Sequence, residues 1–145
     1  MKLAKLGNIL ILLCSGLITV LSLMMLVIMI GLSPALLADT ASEYIVPFAL
    51  ALMMPVINWF FAEMYTLIGV MGINSTRYKL IDRIGIGLVV IYIIIISIWF
   101  PMVLQAFADA GGSGQQTSAF VITCVLSMAL SILTLIGIII RLVKR

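Results

Sequence analysis

The sequence predicts an all-α, polytopic membrane protein, a four-transmembrane-helix bundle with both termini cytoplasmic. Three observations carry this expectation. Of the 145 residues, 65% are hydrophobic and 9% charged, whereas a soluble domain is about half apolar and about a quarter charged. Four apolar runs, about 9–32, 45–71, 84–104 and 119–140, each reach the roughly 20 residues that cross a bilayer. All eight basic residues lie outside those runs and on alternate connections. Lys2 and Lys5 precede the first run, Arg77, Lys79 and Arg83 separate the second from the third, and Arg141, Lys144 and Arg145 follow the fourth. Asp39, Glu43 and Asp109 occupy the other connections. Short-loop Lys and Arg resist translocation, so this asymmetry sets both the span count and the orientation.

The four spans and their short connections use nearly the whole chain, which predicts one transmembrane domain over 1–145 and no separate soluble domain. The net charge of +3 follows from orientation, with contact to anionic headgroups as a corollary. The first span, from Ile9 to Leu32, exceeds the apolar core of about 7 to 15 residues found in a cleavable signal peptide, so it reads as a retained helix. Gly31, Ser33 and Pro34 are expected to end it. The second span runs from Ile45 to Met71 with Pro55 deep inside. A proline there removes the hydrogen bond to the Ala51 carbonyl and predicts a kink near Met54 and Pro55.

Gly72 to Arg83 forms a polar turn, with Ser75 or Thr76 as the expected N-cap of the third helix and Asp82 within a solvated charge cluster. Asn74, Ser75 and Thr76 spell a glycosylation acceptor, which the predicted topology places in the cytoplasm, where that modification does not occur. The third span, Ile84 to Leu104, ends in Trp99, Phe100 and Pro101, as interfacial anchoring predicts. Ala110 to Ser118 reads as a mobile polar loop, and the fourth span, Ala119 to Ile140, returns to a basic tail. Cys14 and Cys124 fall at different depths and should not pair. With no histidine in the chain, no zinc or haem ligand set is expected, and no cofactor or metal. The methionines read as pliable packing.

Glu63 is the one ionisable residue well inside a predicted span. A carboxylate in hydrocarbon costs at least about 2.5 to 3.5 kcal/mol, so it needs protonation, water, a bound ion, or a cation brought by a partner. At about 1.5 Å per residue, Glu63, Tyr92, Thr19 and Ser131 fall in one stratum. The short turn between the second and third spans makes Glu63 and Tyr92 the expected pair. Asn58, beside Trp59, precedes Glu63 by five positions, about 140° around a helix, so the two should point to different faces. Asn58 reads as interhelical glue. Ser15, Thr19 and Ser22 in the first span, and Ser127, Ser131 and Thr134 in the fourth, form small polar stripes suited to close helix packing.

Gly72, Asn74, Ser75, Leu80, Ile81, Arg83, Ile84 and Gly85, set between the second and third of four short spans, resemble an uncharacterised family of small bacterial four-helix membrane proteins. The resemblance covers the topology and about fourteen residues. It implies a multi-pass protein of the bacterial inner (plasma) membrane and no assigned activity. The residues themselves point to a non-enzymatic accessory or self-assembling subunit of a membrane complex. Its expected partners are the lipid bilayer and either copies of itself or a larger membrane protein, with no nucleic acid. The competing expectation is a proton- or cation-coupled transporter or channel using Glu63. One carboxyl and one tyrosine make a thin basis for catalysis.

Overall fold

A computed structural model describes residues 2–39, 45–74, 76–109 and 114–144. They form four helices: α1 (Lys2–Asp39), α2 (Ile45–Asn74), α3 (Tyr78–Asp109) and α4 (Gly114–Lys144). Each contains a segment long and apolar enough to cross a membrane: Lys2–Ile30, Leu52–Ile73, Tyr78–Gln105 and Val121–Val143. Successive helices alternate in direction and close into a ring. α1 and α3 each pack on both α2 and α4, while α2 and α4 touch only slightly across the middle. The beginning of α1, the α2–α3 turn and the end of α4 share one end of the bundle, called the terminal end below.

The inward positions carry a core of Ile11, Ile18, Met54, Phe61, Tyr65, Val89, Tyr92, Ile96 and Ile138. The outward positions are also apolar, among them Leu13, Val27, Val56, Ile98 and Val125. An apolar exterior on all four helices is what a multi-pass membrane protein presents to lipid.

The helices are longer than the apolar runs that predicted them. Hydropathy stops at the first polar residue, whereas a helix stops where its backbone bonding fails. α1 continues through Pro34 to Asp39, because Ala35, Leu36, Leu37 and Ala38 are good helix formers. α3 likewise continues through Pro101 to Asp109. The polar loop expected over Ala110 to Ser118 is corrected: α4 begins at Gly114, and 110–113 lie outside the described residues, as do 40–44.

α3 opens one residue after the expected cap. The Arg77 carbonyl accepts from the Leu80 and Ile81 amides at 3.0 and 3.1 Å, so the first helical hydrogen bond starts there rather than at Thr76; Ser75 lies outside the described residues. α2 runs without interruption through the buried Pro55. The Trp99 indole, expected as an interfacial anchor, donates to the Leu50 carbonyl at 3.1 Å. That bond ties α3 to α2 beside the carbonyl that Pro55 leaves without its helical donor.

Closest approach falls at the terminal end and depends on glycine. A Cβ built on Gly7 of α1 meets the Gly137 carbonyl of α4 at 2.7 Å, and one built on Gly137 meets the Gly7 carbonyl at 3.0 Å. Only hydrogen at both positions lets the two backbones touch. Gly16, by contrast, has open space where its Cβ would stand. Gly7→Ala should therefore cost about 1–3 kcal/mol of overpacking, with Gly16→Ala neutral or stabilising, when the two variants are unfolded in parallel in mixed micelles.

Candidate functional site

The polar residues of the four helices form three groups at different depths. The first, at the terminal end, centres on Arg141. Counted by hydropathy as part of a solvated tail, Arg141 is 0% exposed, as is Asp82. The expectation of a solvated cluster around Asp82 is corrected: Arg141 and Asp82 form a buried ion pair.

A guanidinium has five N–H donors and keeps its charge at any physiological pH, and each donor here has an acceptor. Nε donates to Asp82 Oδ1 of α3 at 2.9 Å. Nη1 donates to Asn8 Oδ1 of α1 and to the Gly69 carbonyl of α2, both at 3.0 Å. Nη2 donates to the Ile68 carbonyl at 2.9 Å and again to Asp82 Oδ1. One side chain of α4 thus bonds to the other three helices.

Local geometry favours both charges. Asp82 lies in the second turn of α3, near the positive end of its dipole. Ile68 and Gly69 lie near the C-terminus of α2, where carbonyls attract a cation. Room for the guanidinium comes from Gly72, where any Cβ would overlap it. Asp82 Oδ2 remains buried without a protein partner.

The second group lies in the middle of the bundle interior. Tyr92 of α3 donates to Asn58 Oδ1 of α2 at 2.7 Å, and Asn58 Nδ2 donates to Ser127 Oγ of α4 at 3.1 Å. Asn58 therefore bonds across helices, as read from its position. Phe61, Tyr65 and Tyr92 pack around this chain, with edge-on contacts from Tyr92 to Phe61 at 5.3 Å and to Tyr65 at 6.5 Å between ring centroids. Ser131 and Thr134 are buried on the same side of α4 as Ser127. The Tyr65 and Ser131 hydroxyls are buried beside each other, and among the described residues neither makes a well-formed hydrogen bond. Cys14 and Cys124 are buried and free.

The third group lies on the seam between α1 and α2. Thr66 Oγ1 lies 3.0 Å from both Ser15 Oγ and the Ala62 carbonyl. Thr19 Oγ1 lies 2.9 Å from the Ser15 carbonyl and 3.4 Å from Glu63 Oε1. Ser22 is buried and donates to the Ile18 carbonyl at 2.7 Å. Of the four residues expected in one stratum, Thr19 and Glu63 meet. Tyr92 does not join them, because it bonds to Asn58, and Ser131 is in the core.

The expected Glu63–Tyr92 pair is thus corrected. Equal depth did not specify rotation, and Tyr92 points inward while Glu63 is exposed on the outside of the bundle. Trp59, one turn away, is 47% exposed on the same face. The opposite facing of Asn58 and Glu63 follows the 140° between them.

Two outcomes test the interior. Arg141→Ala or Asp82→Ala, each leaving a buried charge or acceptor alone, should cost about 3–5 kcal/mol. Arg141→Met combined with Asp82→Leu should recover most of that loss in unfolding titrations. Tyr92→Phe should cost about 1 kcal/mol by breaking the bond to Asn58, and Tyr65→Phe, whose hydroxyl makes no well-formed hydrogen bond, should cost less in the same assay.

No known protein family matches the chain, and neither does any curated protein or solved structure.

Proposed function

We propose that the chain is a non-enzymatic subunit of a bacterial inner-membrane complex, inserted with both termini cytoplasmic and assembled with its partners through the outward face of α1 and α2. The observation that carries this reading is the direction of Glu63. Asn58, Ser127, Ser131, Thr134, Asp82 and Arg141 are all turned into the bundle. Glu63, at the centre of the apolar window Leu52–Ile73, is turned out of it.

A carboxyl held at mid-depth against acyl chains costs at least about 2.5–3.5 kcal/mol. A contact that covers it offsets that cost, and Val56, Trp59, Phe60, Leu67 and Val70 around it give an apolar rim to such a contact. Catalysis has little support from this geometry, since Glu63 and Tyr92 point in different directions. Transport through the bundle by way of Glu63 has as little, because the residue lies outside the packed interior. A transport role would need a path between chains.

The test places a photo-reactive residue at Leu67, on the α2 face, or at Ile94, on the outward face of α3, in cells that express the full chain. Adducts with a copy or with another membrane protein should form from Leu67 and not from Ile94. Absence of adducts from both positions, together with a monomeric mass after mild extraction, overturns the assembly reading. Vesicle proton or cation flux that is lost in Glu63→Gln would replace it with transport.

A further inference from the structure

We infer that the partner seated on this face is a transmembrane helix of a different protein that carries a lysine or arginine at mid-membrane depth. The inference rests on the assembly reading above and narrows it from any lateral partner to a cationic one. The first observation is that, among the described residues, no cation and no dedicated donor meets Glu63. Its one hydrogen-bond contact among the described residues is Thr19 Oγ1 at 3.4 Å. A threonine hydroxyl has one proton, which Thr19 shares between Glu63 and the Ser15 carbonyl, the nearer acceptor at 2.9 Å.

The second observation is that no cation among the described side chains is placed to reach Glu63, those of Lys144 and Arg145 lying outside them. Arg141 spends all five donors inside the bundle. Lys2, Lys5, Arg77, Lys79 and Arg83 are exposed at the terminal end. Glu63 lies six residues from Gly69, the α2 residue whose carbonyl meets Arg141, which is about 9 Å along the axis. Copies of one chain insert in the same orientation, so a second copy brings its cations to that same end. Neutralising Glu63 by charge therefore falls to a different sequence.

The surroundings fit a cationic side chain. Trp59, one turn from Glu63 and 47% exposed, offers a ring face of the kind that attracts ammonium and guanidinium groups. On α1, Gly16 precedes Thr19 by one turn and has open space at its Cβ position, so a helix backbone can approach the seam closely there. Acid, indole and bare backbone together define a receptor for one basic residue on an otherwise apolar helix.

The experiment measures energy transfer in phosphatidylcholine vesicles between the labelled full chain and a designed Leu/Ala transmembrane peptide with a single central lysine. The same peptide with leucine at that position is the control. The lysine peptide should bind at least about tenfold more tightly than the control, a difference of about 1.4 kcal/mol, and Glu63→Gln should abolish the preference. Trp59→Leu should reduce it. Equal binding of the two peptides to the unaltered chain overturns the inference, as does a lysine preference that survives Glu63→Gln.

Photo-adducts from Leu67 separate this failure from failure of the assembly reading. Adducts only with copies of the chain, combined with no lysine preference, leave assembly standing and remove the cationic partner. Absence of both removes both. Glu63 points outward, so an unchanged unfolding midpoint for Glu63→Gln excludes loss of the fold as the cause.

Discussion

The bundle depends on the burial of a charge that cannot be removed. A guanidinium keeps its proton at any physiological pH, so once Arg141 enters the interior its cost must be met by geometry. Asp82, Asn8 and the carbonyls of Ile68 and Gly69 meet it from three helices at once. Those acceptors come into range only if the backbones come close, and Gly7 and Gly137 remove the side chains that would hold them apart, while Gly72 leaves room for the guanidinium itself. The arrangement also orients α4. Thr134 and Ser127 precede Arg141 by seven and fourteen residues, and a helix drifts only about 20° per seven residues. Turning Arg141 inward therefore turns both hydroxyls inward, and Ser127 then meets Asn58. Buried ion pairs contribute little net stability, but leaving one member unpaired is costly, and here one side chain bonds to the other three helices.

Much of this was legible in the residues, and the limits are physical. Run length and composition identify four apolar helices, since crossing about 30 Å of hydrocarbon imposes both. A spacing of five residues separates the faces of Asn58 and Glu63 because the helical period is fixed. Depth arithmetic brings Thr19 to Glu63 but misassigns Tyr92, because residues at one height still differ in rotation. The Arg141–Asp82 pair was hidden for another reason: both residues sit where apolar runs meet charge, and a charge at a helix end is ordinarily solvated. A signal was nevertheless present. Leu142 and Val143 follow Arg141, so apolar sequence continues past it, and Gly137 precedes it by one turn. An arginine inside a continuing apolar stretch, one turn from a glycine, indicates entry into a packed interior rather than a tail.

The same reasoning distinguishes two kinds of polar residue in a chain of this composition. Asn58, Ser127 and Tyr92 satisfy one another across helices, and Ser15 and Thr66 do so across the α1–α2 seam. Such bonds are individually modest, about 0.6 kcal/mol on average in a membrane setting, and they align helices more than they stabilise them. Glu63 belongs to the other kind. Among the described residues its one contact is a long one to a hydroxyl shared with the Ser15 carbonyl, so the packing described gives no account of a carboxyl at the middle of an apolar helix.

That contrast limits where the protein meets other molecules. At the terminal end the interior is filled by the guanidinium and its acceptors, and Phe61, Tyr65 and Tyr92 fill it further along. On the assembly reading proposed above, contacts with other molecules fall on the circumference, whose described residues are mostly Leu, Ile and Val and offer hydrocarbon no reason to prefer one side. Glu63 breaks that uniformity on one arc, between Trp59 of α2 and Gly16 of α1. An apolar cylinder with one polar arc has a preferred direction in the plane of a membrane. With the partner proposed above, that direction would turn undirected lateral contact into recognition, because only a surface that answers the carboxyl gains by meeting it there.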